Sequence, residues 1–334
     1  MIRGARIVTG EEGVDECADL LRQGGIAGIP TETVYGLAAD AFQPLALASI
    51  FEAKGRPLTD PLIVHLPEAG WIRRVALMET DHERALVDRL AKAFWPGPLT
   101  LLLKKNPDIP DLVTAGSERI AVRVTAHPLF QKVLRRVSSP LAAPSANRFG
   151  RISPVTALDV QSELGEVISL ILDGGASQHG LESTIVSLTE HGMEILRPGP
   201  ITEDQLKEFA PILHRELIVK TPGSLPGHYA PRKELSIMES DIMGLSRAEE
   251  HGLLAFLQPA EEVAARFKMV KVLSPGGDLK EAASNFYAHL RALDESEVEG
   301  IYAERLPEVG IGVAIMDRLR RAEYGSKHGT GHSP

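Results

Sequence analysis

Apolar residues in this chain fall into short runs and helical spacings that follow one another irregularly at first, then alternate in a regular order beyond residue 233. From Gly13 to Arg22, Val14, Ala18, Leu20 and Leu21 give the apolar side of a first helix, which Gly24-Gly25 stops. IAGIP (26–30) reads as a short buried strand ended by Pro30. The polar turn PTET (30–33) leads on to a short helix around Leu47, Ile50 and Phe51, closed by Gly55, a favoured residue just past a helix C-terminus. PLIVHL (61–66) is the next strand. Thr80 and Glu83 have capping-box spacing ahead of a helix carrying Leu86, Val87, Leu90 and Phe94 on one side, and Trp95-Pro96-Gly97-Pro98 breaks it. LTLLLKK (99–105) and IAVRV (120–124) read as strands around a loop, NPDIPDLVTAGSER (106–119). Pro128 suits the first turn of the helix LFQKVLRRV. LAAPSANRFGRISP (141–154) begins as a strand and becomes a polar loop, and Ser153-Pro154 opens a helix through Leu164. ISLILDGG, STIVSL and MEILRPG are three further strands, and Thr202 with Gln205 caps a last short helix.

Strands and helices mixed without a strict βαβ repeat predict an α/β domain over 1–215, a mixed twisted sheet flanked by helices. Three prolines and two glycines in KTPGSLPGHYAPRK (220–233) mark a linker, placed at 216–233. Beyond it ELSIM, GLLAFL, MVKVL and GIYAERL alternate with the helical patterns PAEEVAARF, LKEAASNFYAHLRALD and VAIMDRLRRAE. That order predicts a smaller, parallel, doubly wound α/β domain over 234–323. The tail 324–334 is expected to be disordered, with His328 and His332 as candidate metal ligands.

With 334 residues the chain is long enough for two ordinary cores. A formal net charge of -9 argues against a broad basic face for nucleic acid but leaves room for a local basic pocket. The single cysteine, Cys17, rules out an internal disulfide and any multi-cysteine zinc site, and fits a reducing cytoplasm. No signal peptide or membrane-length apolar run is present in the sequence. There is no G-x-x-x-x-G-K-[ST], no G-x-S-x-G and no H-E-x-x-H.

Polar groups recur at the ends of apolar runs, where a rigid scaffold presents chemistry. Lys54 and Arg56 are either cations favoured by a helix C-terminus or a clamp on phosphate oxygens. His65 is either a satisfied core histidine or a site residue, and Thr31 and Thr33 either turn hydroxyls or ligand contacts. Ser145 and Asn147 of APSAN are either an ordinary strand-to-loop exit or a pair suited to hydrogen bonding a nucleotide or other polar ligand. Glycines around GLEST (180–184) permit close backbone approach to a ligand. Arg123, a cation inside an apolar strand, needs an anionic partner, from the protein or from a substrate. An anionic-ligand pocket is the economical account of the whole set.

PTETVYGL, AKGRP…DPLIVH, WPGPLTLLL, AVRV…HP, APSAN-x-x-G, LESTIV and LRPG, in this order, resemble the YrdC-type threonylcarbamoyl-AMP synthases over most of residues 10 to 210. HYAP (228–231), FYAHLRALD and GIGVAIMDRLRRA are similar to the longer, two-domain form, so the resemblance spans nearly the whole chain. It implies a YrdC-like catalytic domain and a smaller Rossmann-like C-terminal domain. It implies synthesis of threonylcarbamoyl-AMP from L-threonine, bicarbonate or CO2, and ATP with Mg2+, releasing pyrophosphate. A partner transferase then modifies the tRNA adenosine beside the anticodon, with direct tRNA binding by this chain weak or transient. By motif position Thr33, His65, Arg123, Ala143 and Ser183 would hold threonine. Arg56, Ser145, Asn147, Ser153, Arg197 and Tyr229 would hold ATP. Lys54 and Arg56 would be the catalytic cations, offsetting repulsion between a threonine carbamate and the α-phosphate it attacks. Arg123 would pair with the threonine carboxylate, and the linker carrying Tyr229 is the candidate lid. Asp60, where the family often has Asn, and Arg119, where it commonly has a Thr-like residue, depart from the pattern. The alternatives are a carbamoyltransferase, whose cysteine-rich modules are missing here, and an RNA-binding module, which the acidic balance disfavours.

Overall fold

The computed structural model describes residues 4–214, 227–238 and 247–329. They divide into two compact units: residues 4–148, 154–178 and 182–214 in the first, and 149–153, 179–181, 227–238 and 247–329 in the second.

The first unit contains, in chain order, β1 (Arg6–Val8), α1 (Gly10–Arg22), β2 (Ala27–Ile29), β3 (Gly36–Asp40), α2 (Pro44–Lys54), β4 (Ile63–His65), α3 (Ile72–Val75), β5 (Ala76–Leu77), α4 (Asp81–Phe94) and β6 (Leu99–Lys105). It continues through α5 (Asp111–Thr114), β7 (Arg119–Arg123), α6 (Pro128–Val137), β8 (Leu141–Ala142), α7 (Ala157–Leu164), β9 (Leu170–Leu172), β10 (Thr184–Thr189), β11 (Gly192–Arg197) and α8 (Glu203–Leu206). Among the described residues its strands join in one mixed sheet, ordered β1-β9-β2-β3-β8-β4-β7-β6-β10-β11, with β5 added to β6. β4 runs parallel to β7 and antiparallel to β8, so segments distant in sequence meet at the centre.

Successive side chains in a strand face opposite ways. Val64, Leu101 and Val122 join the core built with α2, α4 and α7. Ile63, Leu102 and Ala121 gather with Ile185 in a separate cluster on the other side. Two residues further on, or back, the same parity puts His65, Arg123 and Thr100 on that other side too. α1 and α6 contribute Val14, Leu21, Phe130 and Leu134 to a third cluster, which also takes Ala38 of β3.

Several elements depart from the sequence reading. The stretch between PTET and the next helix holds β3, GLAAD, which is buried on both sides and carries small residues at three of its five positions, and therefore shows no alternation. β1 and β5 are also strands that the apolar pattern does not announce, and the loop after β6 contains the single turn α5. α7 starts at Ala157 rather than at Ser153, because Thr156 is its cap. The Asp159 carboxylate accepts from the backbone N–H of Val155 and of Thr156, each at 2.9 Å, and pins the turn there. At α4 Thr80 caps Glu83 N–H as expected, but the Glu83 carboxylate reaches back to Glu79 N–H.

The second unit contains β12 (Glu234–Ile237), β13 (Gly252–Ala255), α9 (Glu261–Ala264), β14 (Met269–Val272), α10 (Leu279–Glu295), β15 (Gly300–Ala303) and α11 (Gly312–His328). Its described strands pair in parallel in the order β12-β15-β13-β14, as the alternating pattern predicts. Of the expected linker, 216–226 lie outside the described residues, and 227–233 are fastened into this unit. Ala230 N–H donates to Gly150 O at 2.8 Å. Arg232 and Lys233 N–H donate to Asp294 Oδ1 at 2.6 and 3.0 Å. The tail expected from 324 is helical through His328, where Tyr324 stacks on His328 one turn on, with centroids 4.4 Å apart. His332 lies outside the described residues. Gly180 belongs here as well. Its φ is +64°, and a Cβ on it would stand 2.5 Å from the carbonyl oxygens of Ala283 and Ser284 in α10. Its close approach therefore serves packing on α10.

Candidate active site

The first group of site residues lies on the sheet face that carries His65 and Arg123, which are register partners on β4 and β7. Arg123 Nη1 donates to Thr33 Oγ1 at 3.0 Å, and Thr33 Oγ1 lies 2.8 Å from Thr31 Oγ1. Thr31 in turn accepts from the N–H of Thr33 and of Val34, so the PTET hydroxyls build their turn and also reach the site. The anionic partner that Arg123 requires is a protein carboxylate: Glu32 Oε1 stands 2.7 Å from Arg123 Nη2, and both side chains are buried. Glu32 Oε2 accepts from Thr125 Oγ1 at 2.5 Å. Arg123 Nε makes no hydrogen bond among the described residues.

His65 stacks on Phe130 of α6 with ring centroids 4.9 Å apart and is hydrogen-bonded to the backbone of Ala143. Burial, with the neighbouring Arg123 charge, pushes the imidazole down to about 3, so it is neutral at physiological pH. Its Nδ1 has no hydrogen-bond partner among the described residues. Ser183, just before β10, shares a 2.8 Å hydroxyl contact with Thr100. Arg197, at the end of β11, donates from Nη2 to Ser183 O and Oγ at 2.8 and 3.0 Å.

A second group surrounds the end of α2. Gly55 takes the left-handed conformation, φ 60°, and turns the chain so that Lys54 and Arg56 both point inward. Lys54 Nζ donates to the carbonyl oxygens of Ser145 and Asn147 at 2.6 and 2.5 Å, tying the APSAN loop to the helix. Burial and then the adjacent Arg56 charge press the Lys54 ammonium well below the usual lysine range. Arg56 donates to Asp60 O and Pro61 O and pairs with Asp60 Oδ2 at 2.9 Å. Asp60 thus turns its charge onto Arg56. Arg119 is solvent-facing, beside a separate surface cavity of about 620 Å³.

Ser153 and Tyr229, also assigned to ATP by motif position, lie in the second unit. Tyr229 is 1% exposed, with φ 66°, its ring 5.8 Å from that of Tyr287 and 5.4 Å from the Arg318 guanidinium carbon.

The family model described as "Telomere recombination" matches residues 19–199, and the one described as "Threonylcarbamoyl-AMP synthase, C-terminal domain" matches residues 201–323. This chain belongs to the threonylcarbamoyl-AMP synthase family. It is 36% identical over 317 residues to the threonylcarbamoyl-AMP synthase of Pyrococcus abyssi, covering 91% of this chain and 92% of that one. It is 36% identical over 331 residues to the Bacillus subtilis synthase, covering 95% and 94%. Its fold is similar to the crystal structure of P. abyssi Sua5 complexed with L-threonine, with TM-score 0.85 and 33% identity over 97% of this chain and 98% of that one.

The structure adds Glu32, Thr100 and Thr125 to the set singled out from sequence. The signal for Glu32 was present: an arginine inside an apolar strand demands an anion. Nothing in the spacing says that the anion comes from the turn PTET, ninety-odd residues earlier.

Proposed function

We infer that this chain condenses L-threonine, bicarbonate or CO2, and ATP into threonylcarbamoyl-AMP and pyrophosphate, the activating step of tRNA threonylcarbamoyladenosine formation. The observation that carries the reading is the full-length likeness to a threonylcarbamoyl-AMP synthase whose structure holds L-threonine.

Arg123 receives the threonine carboxylate, its Nε being open to a further hydrogen bond. Thr33, His65, Ala143 and Ser183 orient the amino acid, and neutral His65 is suited to a hydrogen-bonding role rather than a charged one. Lys54 and Arg56, with Ser145, Asn147 and Arg197, face ATP. The phosphates favour the charged form of Lys54, because an anion beside a desolvated ammonium raises its proton affinity. The threonine amine, its proton lost to solvent, adds to CO2 (or to bicarbonate with loss of water) and gives up a second proton to form the carbamate, whose oxygen then attacks the α-phosphorus as the bond to pyrophosphate breaks, with fixed cations offsetting the repulsion between two anions.

Magnesium belongs to this reading as the companion of ATP. Among the described residues no group of three or more His, Cys, Asp and Glu side chains could hold a metal ion, and Asp60 is engaged by Arg56. The ion would come with the nucleotide and would add positive charge beside its phosphates, and no step above runs through it. A tRNA threonylcarbamoyl transferase in the cytoplasm takes the product. Among the described residues no helix is long and apolar enough to cross a membrane.

The test is to mix the purified chain with ATP, Mg2+, L-threonine and bicarbonate. Threonine-dependent pyrophosphate and a threonylcarbamoyl-AMP mass peak are expected. Folded protein that binds ATP but forms neither would overturn the reading.

A further inference from the structure

Glu32 lies between β2 and β3 with 5% of its surface exposed. Burial by itself would raise its carboxyl, but Arg123, the Thr125 hydroxyl and the Ala126 N–H outweigh burial and bring it down to about 2. The side chain is therefore a fixed negative charge beside a fixed positive one. Glu32 Oε1 and Arg123 Nη2 have each other, 2.7 Å apart, and near them lie further buried polar atoms, Arg123 Nε, His65 Nδ1, His127 Nδ1 and Gln131 Oε1, with no hydrogen-bond partner among the described residues. Buried polar atoms are ordinarily satisfied, so such a concentration marks a place organised for something beyond the fold.

We propose that Glu32 determines substrate specificity at the threonine site, by making the pocket a paired plus and minus that fits an amino-acid zwitterion and rejects the matching hydroxy-acid anion. The inference rests on the reading of Arg123 and Thr33 as threonine contacts. A lone buried arginine would welcome any small carboxylate. With Glu32 beside it, a ligand carrying only a carboxylate leaves one uncompensated negative charge in a poorly solvated site. A zwitterion leaves none, because its ammonium balances Glu32. The effect is Coulombic and acts across several ångströms where water is scarce, so it does not require Glu32 to touch the ligand.

The experiment measures binding of L-threonine and of (R)-3-hydroxybutyrate, which is threonine without its amino group, by calorimetry on the full chain. The proteins are wild type, Glu32→Gln and Glu32→Asp. Wild type is expected to hold threonine at least about tenfold tighter than the hydroxy acid. Glu32→Gln should bind threonine about tenfold more weakly and the hydroxy acid more tightly than wild type does, and Glu32→Asp should restore the wild-type order. Equal wild-type affinities overturn the inference. So does a Glu32→Gln variant that weakens both ligands alike, the result of a purely structural role, or one that changes neither. The wild-type comparison decides alone if circular dichroism shows that Glu32→Gln does not fold. Wild-type protein that binds no threonine would instead sink the proposed function, a separate and recognisable failure.

Discussion

Arg56 and Asp60 form an ion pair four residues apart, Nη2 to Oδ2 at 2.9 Å, with both side chains almost fully buried. A carboxylate close to a triphosphate site would be a liability if it faced the nucleotide. Here its charge is spent on the arginine that holds the loop at Pro61. Asp60→Asn keeps the shape and removes the charge, leaving the guanidinium undercompensated. It should cost about 3 kcal/mol of stability and lower the KM for ATP as Arg56 gains positive field. Urea unfolding at constant m-value and initial rates of pyrophosphate release check the two halves separately, and an unchanged KM would detach Arg56 from ATP.

Lys54 fastens the helix end to the carbonyls of Ser145 and Asn147 and also supplies charge. Lys54→Met is expected to lower kcat/KM by about 10²–10³-fold. Lys54→Arg should not restore it, because a planar fork cannot place one compact charge between two carbonyl oxygens. Turnover equal to wild type in the methionine variant would remove Lys54 from the chemistry.

Acid should weaken the fold through His65 before it reaches the carboxylates. The imidazole titrates near 6.5 when unfolded and near 3 when folded, so between those values the unfolded chain binds more protons. Stability is fully present above pH 6.5 and falls by about 1.4 kcal/mol per pH unit below it from this group. Glu32 adds a loss of the same sign below about pH 4.5, since its folded value is near 2. Across pH 6.5 to 5 the stability gap between wild type and His65→Gln should narrow by about 2 kcal/mol. Denaturant midpoints at the two pH values test this, and parallel curves would contradict a neutral, desolvated imidazole.

In the second unit Asp294 accepts from Arg232 N–H, Lys233 N–H and Arg151 Nη2. Asp294→Ala strips three donors of one acceptor. It should cost about 2–4 kcal/mol and open the chain to trypsin at Arg232 and Lys233. Unaltered cleavage would show the segment held by other contacts.

Much of this arrangement is legible in one sequence because of where polarity interrupts apolar runs. His65 and Arg123 stand out as polar residues in strands, and Lys54 and Arg56 as cations flanking a glycine. The second unit is readable because its strands and helices alternate with clear spacing. β3 is not, because Gly36, Ala38 and Ala39 carry too little side chain to signal a strand, and their burial comes from elements on both sides. Glu32 escapes for a different reason. Its role is a pairing between residues 32 and 123, made when β2, β4 and β7 come together, and local spacing carries no trace of it.

β4 is only three residues long, yet it carries the site imidazole between Ile63 and the register partner Arg123. Side chains there change face at every step, so one inserted or deleted residue between Pro61 and Leu66 would turn His65 toward the apolar helices and Val64 toward the polar face. Natural variation in chain length should therefore be absorbed elsewhere, for instance in the loop between β6 and β7, and be intolerable here. For this strand the length of the chain is itself a functional constraint, as restrictive as the identity of any residue it holds.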